Sequence, residues 1–166
     1  LAAQEVARAS PDGYTLLTAP AALASSQSMY KKLTFDIVRD FEPISMLTTS
    51  AQLLAVRASL PVNSVKELIA LAKSRPGQLT YGSSGQWGSS HLCMESLNAM
   101  AGTRMLHVPY KGSAQVMSDI VAGHIDAYCV AAPSIPAFTP TGKVRVLGVT
   151  YKKTDPARAR GATRRR

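Results

Sequence analysis

The segment Gly82-Ser83-Ser84-Gly85-Gln86-Trp87-Gly88-Ser89-Ser90-His91 is the most informative in this sequence for the chemistry of binding a small anion. Gly82, Gly85 and Gly88 permit positive φ or close approach of backbone to a guest. Ser83, Ser84, Ser89 and Ser90 add hydroxyl donors. Between a strand and a helix, such a loop offers its N–H groups and the helix N-terminus to negative charge, so a carboxylate is the expected guest. A flexible loop or a simple serine cap is the plainer alternative. The spacing is neither Gly-x-Gly-x-x-Gly nor a P-loop, which disfavours a nucleotide. Trp87, the only tryptophan of the chain, is expected either to pack the loop or to wall a ligand pocket.

An enzyme would use the same segment differently. Ser89 or Ser90 beside His91 suggests nucleophile and base, the alternative reading being a small α/β hydrolase or transferase, but sequence adjacency does not make a triad. No Gly-x-Ser-x-Gly elbow occurs. His91 is expected in the first helical turn with a structural or ligand hydrogen bond, His107 in a strand and His124 in an exposed turn. None has a metal partner at ligand spacing, and neither metal nor cofactor is expected. Asp12, Asp36, Asp40, Glu42, Asp119 and Asp126 are scattered, a poor arrangement for acid–base work, with Asp12 and Asp126 expected to serve turns. Cys93 and Cys129 lie in apolar surroundings without metal-ligand spacing and are expected as buried free thiols, a disulfide being the alternative that suits an exported protein and that sequence alone does not pair.

The elements that must position the loop are legible in the hydrophobic pattern. Short β-type runs alternate with helical periodicity, the pattern of an α/β domain with a largely parallel sheet. Strands are expected at Tyr14–Leu17, Leu53–Val56, Leu79–Tyr81, Met105–Val108, Asp126–Val130 and Val144–Val149, the last four forming a βαβαβ series. A helix starts at Ser64, whose hydroxyl caps it while Glu67 reaches back to the Ser64 N–H. It carries Leu68, Ile69, Leu71 and Ala72 inward and stops at Arg75-Pro76-Gly77. A second helix, from Ser90 to Ala101, carries Cys93, Leu97 and Met100 and is closed by Gly102. A third runs from Ser113 to Ala122 and is closed by Gly123. Tyr30–Pro43 reads as loop.

Composition narrows the class. The chain has 166 residues, 46% of them hydrophobic, enough for one sizeable core or two small lobes. No apolar run approaches the roughly 20 residues of a membrane-crossing helix. Leu1–Ala7 carries no basic start, apolar stretch or cleavage site of a secretory signal. The net charge of +9 is concentrated at the end: residues 151–166 hold seven of the 19 basic side chains against one acid, Asp155. That tail is expected to be a solvated, disordered end, and no nucleic-acid partner is expected.

Pro11-Asp12-Gly13-Tyr14-Thr15-Leu16-Leu17, Leu33-Thr34-Phe35-Asp36 and Asp40-Phe41-Glu42-Pro43 stand in a fixed order with Lys66-Glu67-Leu68-Ile69-Ala70-Leu71-Ala72-Lys73 and Pro76-Gly77. Tyr81-Gly82-Ser83-Ser84-Gly85, His91-Leu92 and His107-Val108-Pro109-Tyr110-Lys111-Gly112 continue the series. Together they resemble the Bug family of TctC-like extracytoplasmic receptors of tripartite tricarboxylate transporters, over about residues 1–150. The resemblance implies a periplasmic-binding-protein (type II) fold, with one lobe nearly complete and the other truncated: 1–52 a partial first lobe, 53–150 the second lobe, 151–166 the tail. It also implies a periplasmic, non-enzymatic receptor for a small carboxylated solute, with membrane permease subunits as partners. One ligand carboxylate would be held by a loop from each lobe. The second-lobe loop corresponds to Ser83, Ser84, Gly85, Trp87, Gly88, Ser89, Ser90 and His91, with Thr18, Ala19 and Ala22 as candidates on the first-lobe side. The family's first strand and its Pro/Gly-rich loop would lie upstream of Leu1. Val130 and Ala131 stand where relatives carry polar residues. The change to Ala/Arg-rich sequence from Tyr151 raises the expectation of a truncated or frame-shifted copy, which could be inactive.

Overall fold

The computed structural model describes residues 2–30, 32–137 and 142–150. The predicted basic tail, residues 151–166, lies outside them. Two short helices come first, α1 (Ala2–Arg8) and α2 (Ala21–Met29). From Gln52 onward the order is β1 (Gln52–Arg57), α3 (Val65–Ser74), β2 (Thr80–Ser83), α4 (Ser89–Ala101), β3 (Leu106–Pro109), α5 (Ser113–Ala122) and β4 (Ala127–Ala131). A 3-10 turn, Ala132–Ala137, and β5 (Val144–Val149) complete it.

The five strands form one sheet in the order β3-β2-β4-β1-β5. β2 runs parallel to β3 and to β4, whereas β1 is antiparallel to both β4 and β5. The expected largely parallel sheet is therefore half parallel and half antiparallel. β1 enters the sheet against the direction of the βαβ series, and β5 pairs beside it at the edge.

Side chains alternate across the sheet because the strand period is two. Leu54, Val56, Tyr81, Ala127 and Cys129 point to one face, where Leu68 and Ala72 of α3 and Met94 of α4 cover them. Ala55, Tyr128 and Val130 point to the other, against Val116, Met117 and Ile120 of α5. Gly82 sits where α5 comes closest: a Cβ there would fall 2.5 Å from Val116 Cγ1 and 2.7 Å from Ile125 Cδ1. Any larger residue there forces the Val116 and Ile125 side chains to shift.

Asp126 does more than serve a turn. Its carboxylate accepts from Arg57 Nε at 2.7 Å and from the Thr80 N–H at 2.8 Å, tying the end of β1 to the start of β2 just before β4 begins. The α3 cap forms as expected at the Ser64 hydroxyl, which accepts from the Glu67 N–H. Glu67 reaches back one residue further than expected, to the Asn63 N–H and the Ser64 hydroxyl. Leu68 and Ala72 are buried, and Ile69 and Leu71 half-buried. α4 ends at Gly102 and α5 at Gly123, both left-handed as glycine caps require.

Three other expectations are overturned. Tyr14–Leu17 forms no strand. The Asp12 turn is present, with the Tyr14 N–H on Asp12 Oδ1, but no strand pairs with the segment among the described residues and Tyr14 is 92% exposed. An extended segment is held only by the ladder it joins. Met100 is exposed rather than inward, because α4 turns Ser90, His91, Met94 and Asn98 to the sheet. Cys93 and Cys129 are not free thiols: a disulfide joins α4 to β4, with Cα atoms 6.3 Å apart. Helix packing over the sheet brings the two together from 36 positions apart, a juxtaposition that only tertiary structure creates.

Candidate functional site

β2, β3 and β4 run in the same direction, so their carboxyl ends lie along one edge of the sheet. β2 delivers the chain there into the Gly/Ser loop, and Gly88 then starts α4 with no side chain capping it. The first N–H groups of a helix have no partner within it, and the peptide dipoles add partial positive charge at that end. The sequence supplies a 13-residue helix and leaves its entrance to glycine.

The loop is internally braced. Ser90 Oγ accepts from the Ser84 N–H at 3.1 Å and lies 3.2 Å from Ser84 Oγ, linking the start of the loop to the first turn of α4. Gly85 has φ +148 and Trp87 φ 62. A left-handed conformation is uncommon for a bulky residue and costs about 1–2 kcal/mol. The Trp87 N–H donates to His91 Nδ1 at 3.0 Å, and the indole lies over the same imidazole with centroids 4.9 Å apart. Packing of the loop, the plainer of the two expectations for Trp87, is therefore realised in part.

Beneath the loop His91 meets His107 in a face-to-face stack, centroids 3.8 Å apart and planes 12° from parallel. Tyr81 stacks on His107 at 5.1 Å. The register explains the meeting. Tyr81 and His107 are partners across the parallel β2–β3 pair, so their side chains share a face, and α4 lays His91 on that face. His107 Nε2 is 2.6 Å from Ser83 Oγ, and the Ser83 hydroxyl donates to the Gly85 carbonyl at 3.0 Å. Because that hydroxyl has one hydrogen, His107 Nε2 is the donor when the bond to Gly85 is made.

Burial holds both imidazoles below the usual histidine range, and for His107 the neighbouring His91 adds to the effect. Glu95, one turn along α4, works in the opposite direction on both. The Tyr81 hydroxyl donates to Glu95, and burial together with that bond pushes the phenol far above its ordinary range. On the other face Tyr128 is raised by burial, partly offset by a hydrogen bond with Ser84. Tyr110 is pushed up to about 12, first by burial and then by its bond to Asp119.

The structure brings together Ser83, Ser84, Gly85, Trp87, Gly88, Ser89, Ser90 and His91 as one loop and helix start. Of the candidates on the other side, Thr18 and Ala19 are exposed ahead of α2, and Ala22 is half-buried in its first turn. Ser83 is fully buried with its hydroxyl engaged, so it braces the loop rather than facing outward. Val130 is buried against α5, with no polar role. His107, Tyr81 and Glu95 were not singled out from sequence as parts of the site. The signal for His107 was register: it stands opposite Tyr81, which lies two residues before Ser83.

The Ser89 or Ser90 pairing with His91 that the hydrolase or transferase alternative requires is not formed among the described residues: His91 Nδ1 is taken by Trp87, while Ser90 Oγ is taken by Ser84. Among the described residues the one Ser–His bond, Ser83 with His107, has a fully buried serine. His124 is exposed and pairs with Asp119, as its turn position implies. No group of three metal-ligating side chains occurs among the described residues.

Residues 1–159 match the family model described as tripartite tricarboxylate transporter family receptor. A UPF0065 protein of Bordetella pertussis is 37% identical over 150 residues, 90% of this chain and 46% of that protein. The solved structure of Rhodopseudomonas palustris Rpa4515 with adipate is 34% identical, with TM-score 0.81 over 92% of this chain and 51% of the other. MatC of the same organism, with bound malate, is 27% identical, with TM-score 0.78 over 98% of this chain and 57% of that one. The chain thus spans about half the length of the relatives it matches.

Proposed function

The chain belongs to the tripartite tricarboxylate transporter receptor family, and on that premise we propose that its Gly/Ser loop holds one carboxylate of a small organic acid. In this reading the chain is the solute-capturing part of a periplasmic receptor that hands its ligand to membrane permease subunits. Residues 1–52 belong to one lobe and 53–150 to the other. The observation that carries the proposal is the uncapped start of α4 at the carboxyl edge of the parallel strands. Backbone N–H groups there, with the hydroxyls of Ser84 and Ser89, form a donor-rich helix entrance suited to a carboxylate.

Two relatives with solved structures carry dicarboxylates, adipate and malate, which favours that class of guest. Ser84 and the exposed Ser89 are assigned the hydroxyl contacts, Gly85 and Gly88 the close backbone approach, and Trp87 the wall, while the buried Ser90 braces the loop. Thr18, Ala19 and Ala22 are assigned to the opposing side when the lobes close. His91 contributes its helix N–H, since its ring is occupied within the protein.

Trp87 fluorescence titrated with adipate, malate, acetate and glutamate tests this, with circular dichroism establishing that the sample is folded. A saturable change with a carboxylate, weakened at least about tenfold by Ser84→Ala, is expected, a charge-assisted hydrogen bond being worth roughly 1.5–3 kcal/mol. A folded sample that responds to none of the acids removes the proposal.

A further inference from the structure

We propose that the His91–His107 stack is a positioning device for the loop, and that its hold on Trp87 depends on a neutral His91. The role as ligand positioner rests on the carboxylate reading of that loop; the proton-dependent hold stands on geometry alone. Each ring secures a different part of the loop. His107, from β3, anchors Ser83 and through it the Gly85 carbonyl. His91, from α4, accepts the Trp87 N–H and so pins the one non-glycine residue with positive φ among the described residues.

A neutral His91 accepting at Nδ1 carries its proton at Nε2. Protonation places a hydrogen on Nδ1, facing the Trp87 N–H, and replaces an acceptor with a second donor. The bond is lost, nothing then offsets the left-handed strain at Trp87, and two cationic rings 3.8 Å apart repel. His107 keeps its bond to Ser83 on protonation, so the Trp87 side of the loop is the side that lets go.

The charged and titratable groups facing the pair are few. α4 contributes Glu95, β2 contributes Tyr81 hydrogen-bonded to that Glu95, and Cys129 of β4 is in a disulfide. Burial disfavours the charged form of both rings, with Glu95 opposing it in part. The folded protein therefore binds these protons less readily than the unfolded chain. Stability contributed by the neutral pair is present above about pH 6.5 and is lost as pH falls from there through the folded pKa.

The test is a ligand-free pH titration of Trp87 emission from about pH 8 to about pH 4.5, a window that spans the ordinary histidine range, with far-UV circular dichroism alongside and the His91 ring proton followed by NMR. A reversible emission change is expected with its midpoint below about pH 6.5 and coincident with the His91 titration. His91→Asn, whose Oδ1 keeps an acceptor toward Trp87, is expected to lock the emission in its neutral-pH form. His91→Phe keeps a ring in the stack but removes the acceptor, and is expected to show the acid form already at about pH 7.5, where the wild-type ring is neutral. His124→Asn leaves the wild-type profile unchanged. Flat emission in folded protein, a transition that survives His91→Asn, or a midpoint separate from that of His91 overturns the inference. The NMR comparison needs no variant and decides the matter if the substituted chains fail to fold. Because no solute is present, a failed carboxylate titration and a failed pH transition are distinguishable results.

Discussion

Residues 2–50 and residues 52–149 have a similar supply of apolar side chains and opposite uses for them. In the second region Leu68, Val116 and Ile120 are wholly buried between sheet and helices. In the first, Leu16, Ile44, Met46 and Leu47 are each more than two-thirds exposed. The hydrogen bonds described there are local, such as Tyr14 to Asp12 and Val38 to Asp36, and none reaches the sheet. Hydrophobic content does not by itself make a core. It needs a scaffold whose backbone is already paired, and every strand among the described residues lies from Gln52 onward.

The sharpest way to break that contrast is to remove a buried leucine. Leu68→Ala is expected to cost about 2–5 kcal/mol in a urea unfolding experiment, as transfer and cavity terms add. A fall of less than about 1 kcal/mol would mean that the α3 face is not a packed core. Next in size is the disulfide. Reduction in the folded buffer is expected to lower stability by about 2–4 kcal/mol, and the unfolded, unreduced chain is expected to yield no free thiol to a thiol-reactive reagent. Two titratable thiols in the unreduced protein would restore the free-cysteine expectation. Smallest is Leu16→Ser, expected to change stability by no more than about 0.5 kcal/mol, as for an exposed site without special contacts. A loss comparable to that of Leu68→Ala would show that residues 2–50 are packed in solution, erasing the difference between the regions.

Much of the second region was legible in advance. The α3 start at Ser64, the glycine stops at Gly102 and Gly123, and the strands near β1, β2, β4 and β5 follow from local chemistry that the structure bears out within a residue or two. The loop from Gly82 to His91 was legible too, because glycine and serine announce a turn and a helix start wherever they occur. Strand direction was harder: β1 reads as an apolar run whichever way it enters, and its antiparallel pairing with β4 and β5 depends on where the chain has travelled in between. Tyr14–Leu17 shows the opposite failure, a sound local pattern without a partner.

By itself, the sequence determined which segments become helices and strands from Gln52 onward and where the donor-rich loop stands, because caps, periodicity and glycine act over a few residues. Only the tertiary structure decided that Cys93 meets Cys129, that Asp126 ties Arg57 to Thr80, and that His91 lies on His107 beneath the loop. Each of those meetings depends on sheet register and helix placement across 16 to 69 residues of chain, where loop closure and packing outweigh any local preference.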